Sequence, residues 1–510
     1  MNAIELTLFA SRLNAVCEEM GTVLRRTAFS PNIRDRLDFS CAIFDAGGEL
    51  CAQAAHIPVH LGSMAFAMRG VIDRLEWREG DMVVFNDPFL GGTHLPDVTL
   101  VAPLFVDGRL RAFVANRAHH ADIGAATPGS MPLSHTLEQE GLVLQPDYLL
   151  KQRRWQQPLR ERLVAATRNP GESLGDFNAQ ISANHAGIER LAVLFRQGLE
   201  HSGGGAFEAG IDALNAYGER LARSMMEAIP DGDYCFEDLM DDDGQGSLDI
   251  PIRLRLRVTG ERCRLDFSGT SAQVRGNINC PLSVTAAAVY YVFRCLMPPQ
   301  TPACAGIFRP IEISAPPGSL LNAQRPAAVA AGNVETSSRV VDVVMGALAQ
   351  AIPERIPAAS HGSMNNLAMG SDQGSAWDYY ETIGGGMGAG AARHGLSAVQ
   401  THMTNTLNTP VEVIESLFPL QVTRYAIRRG SGGAGEHRGG DGLVRAWKFL
   451  DAAQLTLLTE RRRHAPWGLA GGADGVRGRN LLNGGELPPK CHLHVSAGDE
   501  LVIETPGGGG

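Results

Sequence analysis

Glycine is the residue that most restricts what this chain can fold into. The 510 residues include 59 glycines, and charged residues make up only 20% of the chain. Glycine adopts backbone angles closed to other residues and leaves room beside its backbone, so its clusters predict tight turns and close backbone contacts rather than disorder. The clusters lie at residues 91–92, 203–205, 384–390, 430–442, 468–478 and 507–510.

Composition excludes several classes of protein. The chain is 44% hydrophobic, and its length predicts about two to four domains around a large core. A net charge of −10 without any Lys/Arg-rich run argues against a nucleic-acid or anionic-membrane partner. No apolar stretch approaches the roughly 18 residues of a membrane span, and the N-terminus lacks the basic segment of a signal peptide. The nine cysteines are scattered without a CxxC pair, which predicts reduced thiols in a cytoplasmic protein.

Hydrophobic periodicity predicts a mixed α+β fold. Apolar residues at helical spacing predict a helix over 4–27, and alternation over 37–44 predicts a strand with Asp38 on the face opposite Phe39 and Cys41. Further predicted strands cover 83–85, 98–105, 110–115, 250–258 and 263–267. Further predicted helices cover 158–228 with a break at 203–205, 282–296 and 334–351.

These elements suggest a multidomain chain divided into three parts. Residues 1–150 form an N-terminal α+β domain that carries the candidate site described next. Residues 151–355 form a central helical and α/β region, and residues 356–510 form a glycine-rich region dominated by β-strands.

Two short segments concentrate the residues that bind metals. Residues 86–97 read NDPFLGGTHLPD, and residues 117–122 read RAHHAD. Imidazole and carboxylate groups suit a divalent ion such as Zn, Mn or Fe. His94 and Asp97 lie three apart around Pro96, which is a loop spacing and not the helical HExxH arrangement. Turn chemistry without a metal is the alternative interpretation of these segments.

His119 and His120 end a predicted strand, where neighbouring side chains point to opposite faces. Only one of the two can easily join a given metal site, and the other is a candidate to contact substrate or to bond to the backbone. Asp122 is a candidate to orient a ligand histidine from behind. His120 and Asp122 are therefore the candidate catalytic residues.

Other conspicuous motifs favour structural interpretations. The segment 56–64 contains His56 and His60, and a structural turn is favoured over a substrate contact. The run 241–244, DDDG, lacks the later glutamate of a calcium loop and predicts a solvated turn. The glycine runs at 384–390 and 431–435 lack the GK[ST] sequence of a phosphate-binding loop and predict turns at domain contacts. No GxSxG nucleophile motif is present, and Cys41 is expected to pack in the core.

The order of motifs along the chain resembles the hydantoinase B/oxoprolinase family, which contains the B subunits of ATP-dependent hydantoinases and the C-terminal halves of 5-oxoprolinases. The likeness extends over nearly the whole chain. The motifs that carry it are RRTA (25–28), RLDFSC (36–41), HIPVHLG (56–62), GGTHLPD (91–97), HHADIG (119–124), PGSMP (128–132), HMTNT (402–406), SGGAG (431–435), RGGDG (438–442) and TPGGGG (505–510).

The resemblance implies both a partner and a metal. Family members work with an A subunit that binds ATP and Mg²⁺, and the pair opens cyclic amides such as 5-oxoproline, hydantoins or lactams after phosphorylation of the amide oxygen. The resemblance also implies that Asp38, His94, Asp97 and His119 hold a divalent metal, Zn, Mn or Fe, in a cytoplasmic hetero-oligomer. The implied site would lie at predicted strand ends and the loops between them.

Two departures and two alternatives accompany this interpretation. Ala118 and Ala125 stand where the family usually has glycines around HHADI, and relatives continue a little beyond the final glycine run. Acetone and acetophenone carboxylases share the architecture, so a carboxylase subunit is one alternative function. A non-catalytic scaffold that supports an active A subunit is the other.

Overall fold

A computed structural model describes residues 1–55, 57–202, 206–371 and 377–510. The predicted helix break at 203–205 and the candidate residue His56 lie outside the described residues. The fold is mixed α+β with four sheets among the described residues, as predicted.

The N-terminal helix shows how local sequence sets an element. Helix α1 (Ala3–Thr27) begins at a capping box, in which the Asn2 side chain accepts from the Glu5 backbone N–H at 2.9 Å and the Glu5 carboxylate accepts from the Asn2 N–H. Its buried stripe includes Leu13, Cys17 and Leu24, at the predicted helical spacing. The remaining helices are α2 (Pro31–Arg34), α3 (His60–Ile72), α4 (Gln157–Ala166), α5 (Pro170–Ser202), α6 (Ala206–Glu227), α7 (Leu282–Leu296), α8 (Ser337–Leu348) and α9 (Val411–Leu417).

The first sheet brings together the two segments that the sequence singled out. Its strand order is β2-β1-β5-β4-β3-β6-β7. The strands are β1 (Phe39–Asp45), β2 (Leu50–Ala55), β3 (Met82–Phe85), β4 (Asp97–Val106), β5 (Arg109–His119), β6 (Asp147–Lys151) and β7 (Arg154–Trp155). Both predicted hairpins are confirmed, because β1 pairs with β2 and β4 with β5, each antiparallel. Strand β5 lies between β1 and β4, so the ends of all three are adjacent.

The central region is helical with one further sheet. Helices α4, α5 and α6 confirm the predicted helical segment 158–228, and α7 confirms the helix predicted at 282–296. The sheet has the order β11-β10-β9-β8. Its strands are β8 (Gly232–Asp242), β9 (Leu248–Thr259), β10 (Arg262–Asp266) and β11 (Ile311–Ser314). The helix predicted from 334 differs at its start, where a π-helical turn over Gly332–Thr336 leads into α8.

The last third is rich in β-structure, as predicted. Its two sheets have the orders β13-β12-β16-β19 and β14-β15-β20-β17-β18. The strands are β12 (Asn366–Ser371), β13 (Asp378–Glu381), β14 (Leu420–Arg428), β15 (Gly442–Phe449), β16 (Ala453–Leu458), β17 (Arg479–Leu482), β18 (Gly485–Glu486), β19 (Lys490–Val495) and β20 (Glu500–Glu504). A Cβ on Gly386 would lie 2.0 Å from the Gly440 carbonyl oxygen and 2.4 Å from the Gly508 nitrogen, so three glycine clusters pack backbone against backbone.

One hydrophobic core runs from Leu13 in α1 to Leu458 in β16, and a second surrounds Trp447 in the last third. The division at 150 and 355 stays a prediction. All nine cysteines are free, and Cys41 is buried as expected. None of the described helices combines the length and apolar character needed to cross a membrane.

The solvated turn predicted at 241–244 is wrong. Asp241 and Asp243 are buried, and the Asp241 carboxylate accepts from the backbone N–H groups of Arg463 and His464, each at 3.0 Å. Buried Lys490 lies 3.8 Å from the Asp242 carboxylate. The acidic run is satisfied by a distant loop that no local pattern reveals.

Candidate metal centre

The loop before β4 is folded back on itself by Asn86. The Asn86 amide donates to the Leu95 carbonyl at 2.8 Å, and its oxygen accepts from the Leu144 N–H at 2.7 Å. A Cβ on Gly92 would lie 2.3 Å from the Asn86 carbonyl oxygen, so this approach requires glycine. The fold of this loop places His94 beside Asp97, the first residue of β4.

Strand register brings the other predicted ligands to the same place. Asp97 and His119 are paired across β4 and β5, and the His119 N–H donates to the Asp38 carbonyl at 3.0 Å. Asp38, which precedes β1, is thereby held beside them. Residues far apart in sequence meet because three neighbouring strands end together.

His94, Asp97 and His119 form a buried cluster. Nε2 of His94 and Nδ1 of His119 each lie 3.3 Å from Oδ1 of Asp97. One ligand atom from each residue lies within 4.8 Å of the other two, and this group is compatible with a metal ion. Asp38, the fourth predicted ligand, lines the same cavity of about 20 Å³, a volume that suits one small ion.

Charge and burial favour the metal-binding forms of two of these groups. Burial raises the pKa of the Asp97 carboxyl, but attraction to His94 and His60 outweighs it and holds this pKa well below its usual range. Burial lowers the pKa of His119 and keeps its ring neutral. At His94 burial also lowers the pKa, but the Asp97 carboxylate overcomes it and the pKa is raised. A metal at His94 therefore competes with a proton.

Hydrogen bonds behind the cluster orient its side chains. Nδ1 of His94 lies 3.2 Å from the Ala330 carbonyl, so this nitrogen carries the proton and Nε2 is the free donor atom. The Thr93 hydroxyl donates to Oδ2 of Asp97 at 2.6 Å. The ring of Tyr380 stacks on His119 with centroids 4.7 Å apart. Each of the three residues is thus held by a neighbour.

His60 is a site residue that sequence reasoning placed elsewhere. The predicted turn is instead the start of α3, because Pro58 stands just before a run of helix-forming apolar residues. Nε2 of His60 lies 3.4 Å from Oδ2 of Asp97, and Nδ1 lies 3.0 Å from the Ser40 hydroxyl. The available signal was the second histidine of the motif HIPVHLG. The contacts favour the alternative interpretation, a role at the site.

Two more residues of the site also escaped the sequence. The Asn333 amide, in the π-helical turn, lies 3.4 Å from Oδ2 of Asp97. The Tyr380 hydroxyl donates to Asn366 at 2.7 Å, and Asn366 in turn donates to Glu335 at 2.6 Å. These residues come from the other two thirds of the chain, and no local motif marks them.

The two candidate catalytic residues lie outside the cluster. Nε2 of His120 lies 3.0 Å from Oε1 of Gln180, on the opposite side of the β5 end from His119, as the strand geometry predicts. Asp122 does not orient a ligand histidine. Its carboxylate accepts from the Gly124 N–H at 2.8 Å and pairs with Arg168 at 3.3 Å, because the chain turns away after the strand.

The residues present fit a divalent metal. The Nε2 atoms of His60, His94 and His119 are buried and have no hydrogen-bond partner, which is costly for polar atoms unless a ligand binds them. Imidazole nitrogen and carboxylate oxygen are the donors that Zn, Mn and Fe accept. The supporting hydrogen bonds have the form found around metal-binding histidines.

Comparison with known proteins agrees with this site. The chain matches the description Hydantoinase B/oxoprolinase over residues 2–510. The 5-oxoprolinase 1 of Arabidopsis thaliana is 40% identical over 545 residues, which cover 100% of this chain and 42% of that protein. The B subunit of a "Putative D-/L-hydantoinase" from Pseudomonas sp. (strain NS671) is 31% identical over 538 residues, with 100% and 90% covered. The chain thus spans about two fifths of the plant protein and most of the bacterial one.

Solved structures share the fold. The ATP-dependent caprolactamase from Pseudomonas jessenii superposes with a TM-score of 0.91 at 27% identity, over 100% of this chain and 90% of that chain. A nucleotide-free acetone carboxylase superposes with a TM-score of 0.88 at 18% identity, over 100% and 76%, which shows a shared fold alone. With the full-length match in sequence, these findings establish that the chain belongs to the hydantoinase B/oxoprolinase family.

Proposed function

We propose that this chain is the metal-containing subunit of an ATP-dependent cyclic amide hydrolase. The observation that carries the proposal is the buried group of His94, Asp97 and His119 in a member of this family. The printed activities of its relatives, 5-oxoprolinase, hydantoinase and caprolactamase, all concern cyclic amides or imides. The substrate class is therefore a cyclic amide: 5-oxoproline, a hydantoin or a lactam.

Asp38, His94, Asp97 and His119 would hold the divalent ion, with His60 beside them. When bound, such an ion polarises an oxygen of the substrate or lowers the pKa of a water molecule. The chain's own residues prepare the site for it. Thr93 and Asn333 hold one oxygen of Asp97, while the Ala330 carbonyl directs Nε2 of His94.

A row of threonine hydroxyls offers contacts to the substrate. Thr382, Thr404 and Thr406 line the cavity together with the candidate ligands. The Thr382 and Thr406 hydroxyls lie 2.7 Å apart, and the buried Arg36 guanidinium donates to Thr382 at 3.1 Å. Hydroxyl groups both donate and accept, so they suit the carbonyl and N–H of a cyclic amide.

ATP would bind to a partner. The glycine runs of this chain lack the GK[ST] sequence of a phosphate loop. We propose an ATP-binding A subunit, with its Mg²⁺, as the partner in a hetero-oligomer. In the reaction, the amide oxygen accepts the γ-phosphoryl group, water adds to the amide carbon, and the ring C–N bond breaks with release of phosphate.

The predicted catalytic roles of His120 and Asp122 are not part of this proposal. Both side chains line a different cavity, on the other side of the β5 end. The ring-opening chemistry is assigned to the cavity around Asp97.

The test is reconstitution with the ATP-binding subunit. The two subunits are co-expressed and assayed with 5-oxoproline, hydantoin and caprolactam, and ADP and ring-opened product are measured together. We expect product in step with ADP, and loss of both in a His94→Ala, Asp97→Ala double variant. A His135→Ala, Asp451→Ala double variant is the matched control, because both residues are exposed.

Two outcomes would contradict the proposal. Turnover that requires bicarbonate and a ketone, with none on cyclic amides, would identify a carboxylase subunit. Unchanged activity in the His94→Ala, Asp97→Ala variant would identify a scaffold whose partner carries the chemistry.

A further inference from the structure

A second cavity, of about 260 Å³, lies on the other side of the β5 end. Helix α5 supplies one wall, where Glu172, Ser173 and Asp176 follow each other along the first two turns. The residue that ends the β5 segment, His120, supplies another. The proposal at the first site absorbs none of these side chains.

The cavity contains an excess of negative charge. Asp122, Glu172, Asp176 and Asp378 all line it. Burial, followed by repulsion from Asp176 and Asp378, raises the pKa of Glu172 to about 7. Burial and repulsion from Asp122 raise the pKa of Asp378 to about 6. These carboxylates are crowded together without enough positive charge between them.

The nearby arginines are already engaged. The Arg34 guanidinium pairs with Asp35 at 2.9 Å. Arg168 lies 3.3 Å from Asp122 and 3.9 Å from Asp378, so a single guanidinium serves two carboxylates. Among the ion pairs of the described residues, none joins Glu172 to an arginine or a lysine.

His120 presents a lone pair in the same place. The Gln180 amide nitrogen donates to the Val98 carbonyl and to Asn116, each at 2.9 Å, so the Gln180 oxygen faces His120. Nε2 of His120 must therefore be the N–H that donates to that oxygen. In the neutral ring, Nδ1 then carries the lone pair.

This nitrogen is buried and unpartnered. His120 is 1% exposed, and its Nδ1 has no hydrogen-bond partner. The hydroxyl of Ser173, a residue 7% exposed, also has none. Buried polar atoms are nearly always satisfied, so two such atoms in residues that line one cavity indicate a missing ligand. With carboxylates and a lone pair around it, that ligand has to donate.

The walls favour an organic cation over a bare metal ion. Phe29, Trp377 and Phe418 line the cavity, and aromatic faces attract organic cations. Asp176 is already occupied, because its Oδ1 accepts the Phe29 and Ser30 N–H groups at 2.7 and 3.1 Å. Among the described residues, the group with metal-ligand spacing is the one around Asp97, not this one.

We propose that this cavity binds a small organic ammonium ion. Its N–H groups would donate to Glu172, Asp378 and Nδ1 of His120, and its hydrocarbon part would pack against Trp377 and Phe418. The site is separate from the candidate metal centre, and its binding of a cation is independent of the reaction there.

The test is calorimetric titration of the purified chain with n-butylammonium chloride at constant ionic strength. The neutral isostere 1-butanol and potassium chloride are titrated in parallel. We expect saturable one-site binding of butylammonium, and at least tenfold weaker binding of butanol, because a charge-assisted hydrogen bond is about twice as strong as a neutral one. Potassium is expected not to compete at equal concentration.

Variants assign the binding to this cavity. Glu172→Gln is expected to weaken butylammonium binding about tenfold, as for loss of one hydrogen bond to a charged group. Asp378→Asn is a second variant that can keep its oxygen on the Gly129 N–H. Glu189→Gln, an exposed change on the same helix α5, is the matched control and is expected to leave binding unchanged.

Three results would overturn the proposal: no butylammonium binding, equal affinity for butanol, or unchanged affinity in both Glu172→Gln and Asp378→Asn. Thermal unfolding of each variant verifies that it is folded before titration.

Discussion

The buried carboxyl of Glu140 makes the stability of this protein depend on pH. Its Oε1 accepts from the Ser134 hydroxyl at 2.7 Å and from the Val329 and Ala330 N–H groups at 2.8 and 2.9 Å. Its Oε2 is buried without a hydrogen-bond partner. Burial raises the pKa of Glu140 to about 7. Glutamine at this position can keep the three hydrogen bonds on Oε1 without the charge.

The sign and size of the effect follow from this pKa. A carboxyl whose pKa is higher in the folded protein stabilises it fully below the unfolded pKa of 4.5, and this contribution is lost as the pH rises through about 7. About 1.4 kcal/mol per pKa unit gives roughly 3 kcal/mol over that interval. Wild type is therefore expected to lose about 3 kcal/mol of unfolding free energy relative to Glu140→Gln between pH 4.5 and pH 8.

Urea unfolding of both proteins across this pH range measures the difference. Fluorescence and circular dichroism are followed together, because a two-state treatment requires that the two transitions coincide. Glu138→Gln, an exposed change two residues away, is the control and is expected to follow wild type. A free-energy difference between wild type and Glu140→Gln that stays constant with pH would refute the reasoning.

Two further substitutions test the loop and the buried charges. Gly92→Ala places a methyl group 2.3 Å from the Asn86 carbonyl oxygen, and we expect about 1–3 kcal/mol of destabilisation by urea unfolding, with reduced metal content. Arg461→Met removes a buried guanidinium that contacts Asp238 at 2.7 Å and also pairs with Asp342. Because this leaves buried carboxylates without that partner, we expect a loss of about 3–5 kcal/mol in the same assay.

Matched controls accompany these two changes. Gly70, in α3, has no atom within 4 Å of an added Cβ, so Gly70→Ala is expected to be neutral or stabilising. Arg253 pairs with Glu237 at the surface, where both side chains are about half exposed, so Arg253→Met is expected to change stability by less than about 1 kcal/mol. Equal effects of a test variant and its control would contradict the packing or charge effect that it tests.

Sequence reasoning succeeded where the pattern is local. Alternation and turn residues identified the two hairpins, and the adjacency of β1, β4 and β5 then brought Asp38, Asp97 and His119 together. The opposite directions of His119 and His120 also follow from strand geometry. The motifs of the family added the choice of ligands, which spacing alone left open.

The rest of the site depends on tertiary packing. Tyr380 and Asn333 reach the cluster from segments more than 200 residues away in sequence, and nothing in their local patterns marks them. His60 was assigned to a turn because its contact with Asp97 exists only after α3 packs beside the sheet. The buried Asp241 was missed for the same reason, since the N–H groups that satisfy it belong to a distant loop.

The measurement that tests the central claim most directly is the metal content of the purified chain. Elemental analysis is made on wild type, on the His94→Ala, Asp97→Ala variant and on the exposed control His135→Ala, Asp451→Ala. We predict about one equivalent of Zn, Mn or Fe in wild type and control, and its loss in the first variant. Wild type without metal after reloading, or equal metal in all three proteins, would contradict a metal centre at His94, Asp97 and His119.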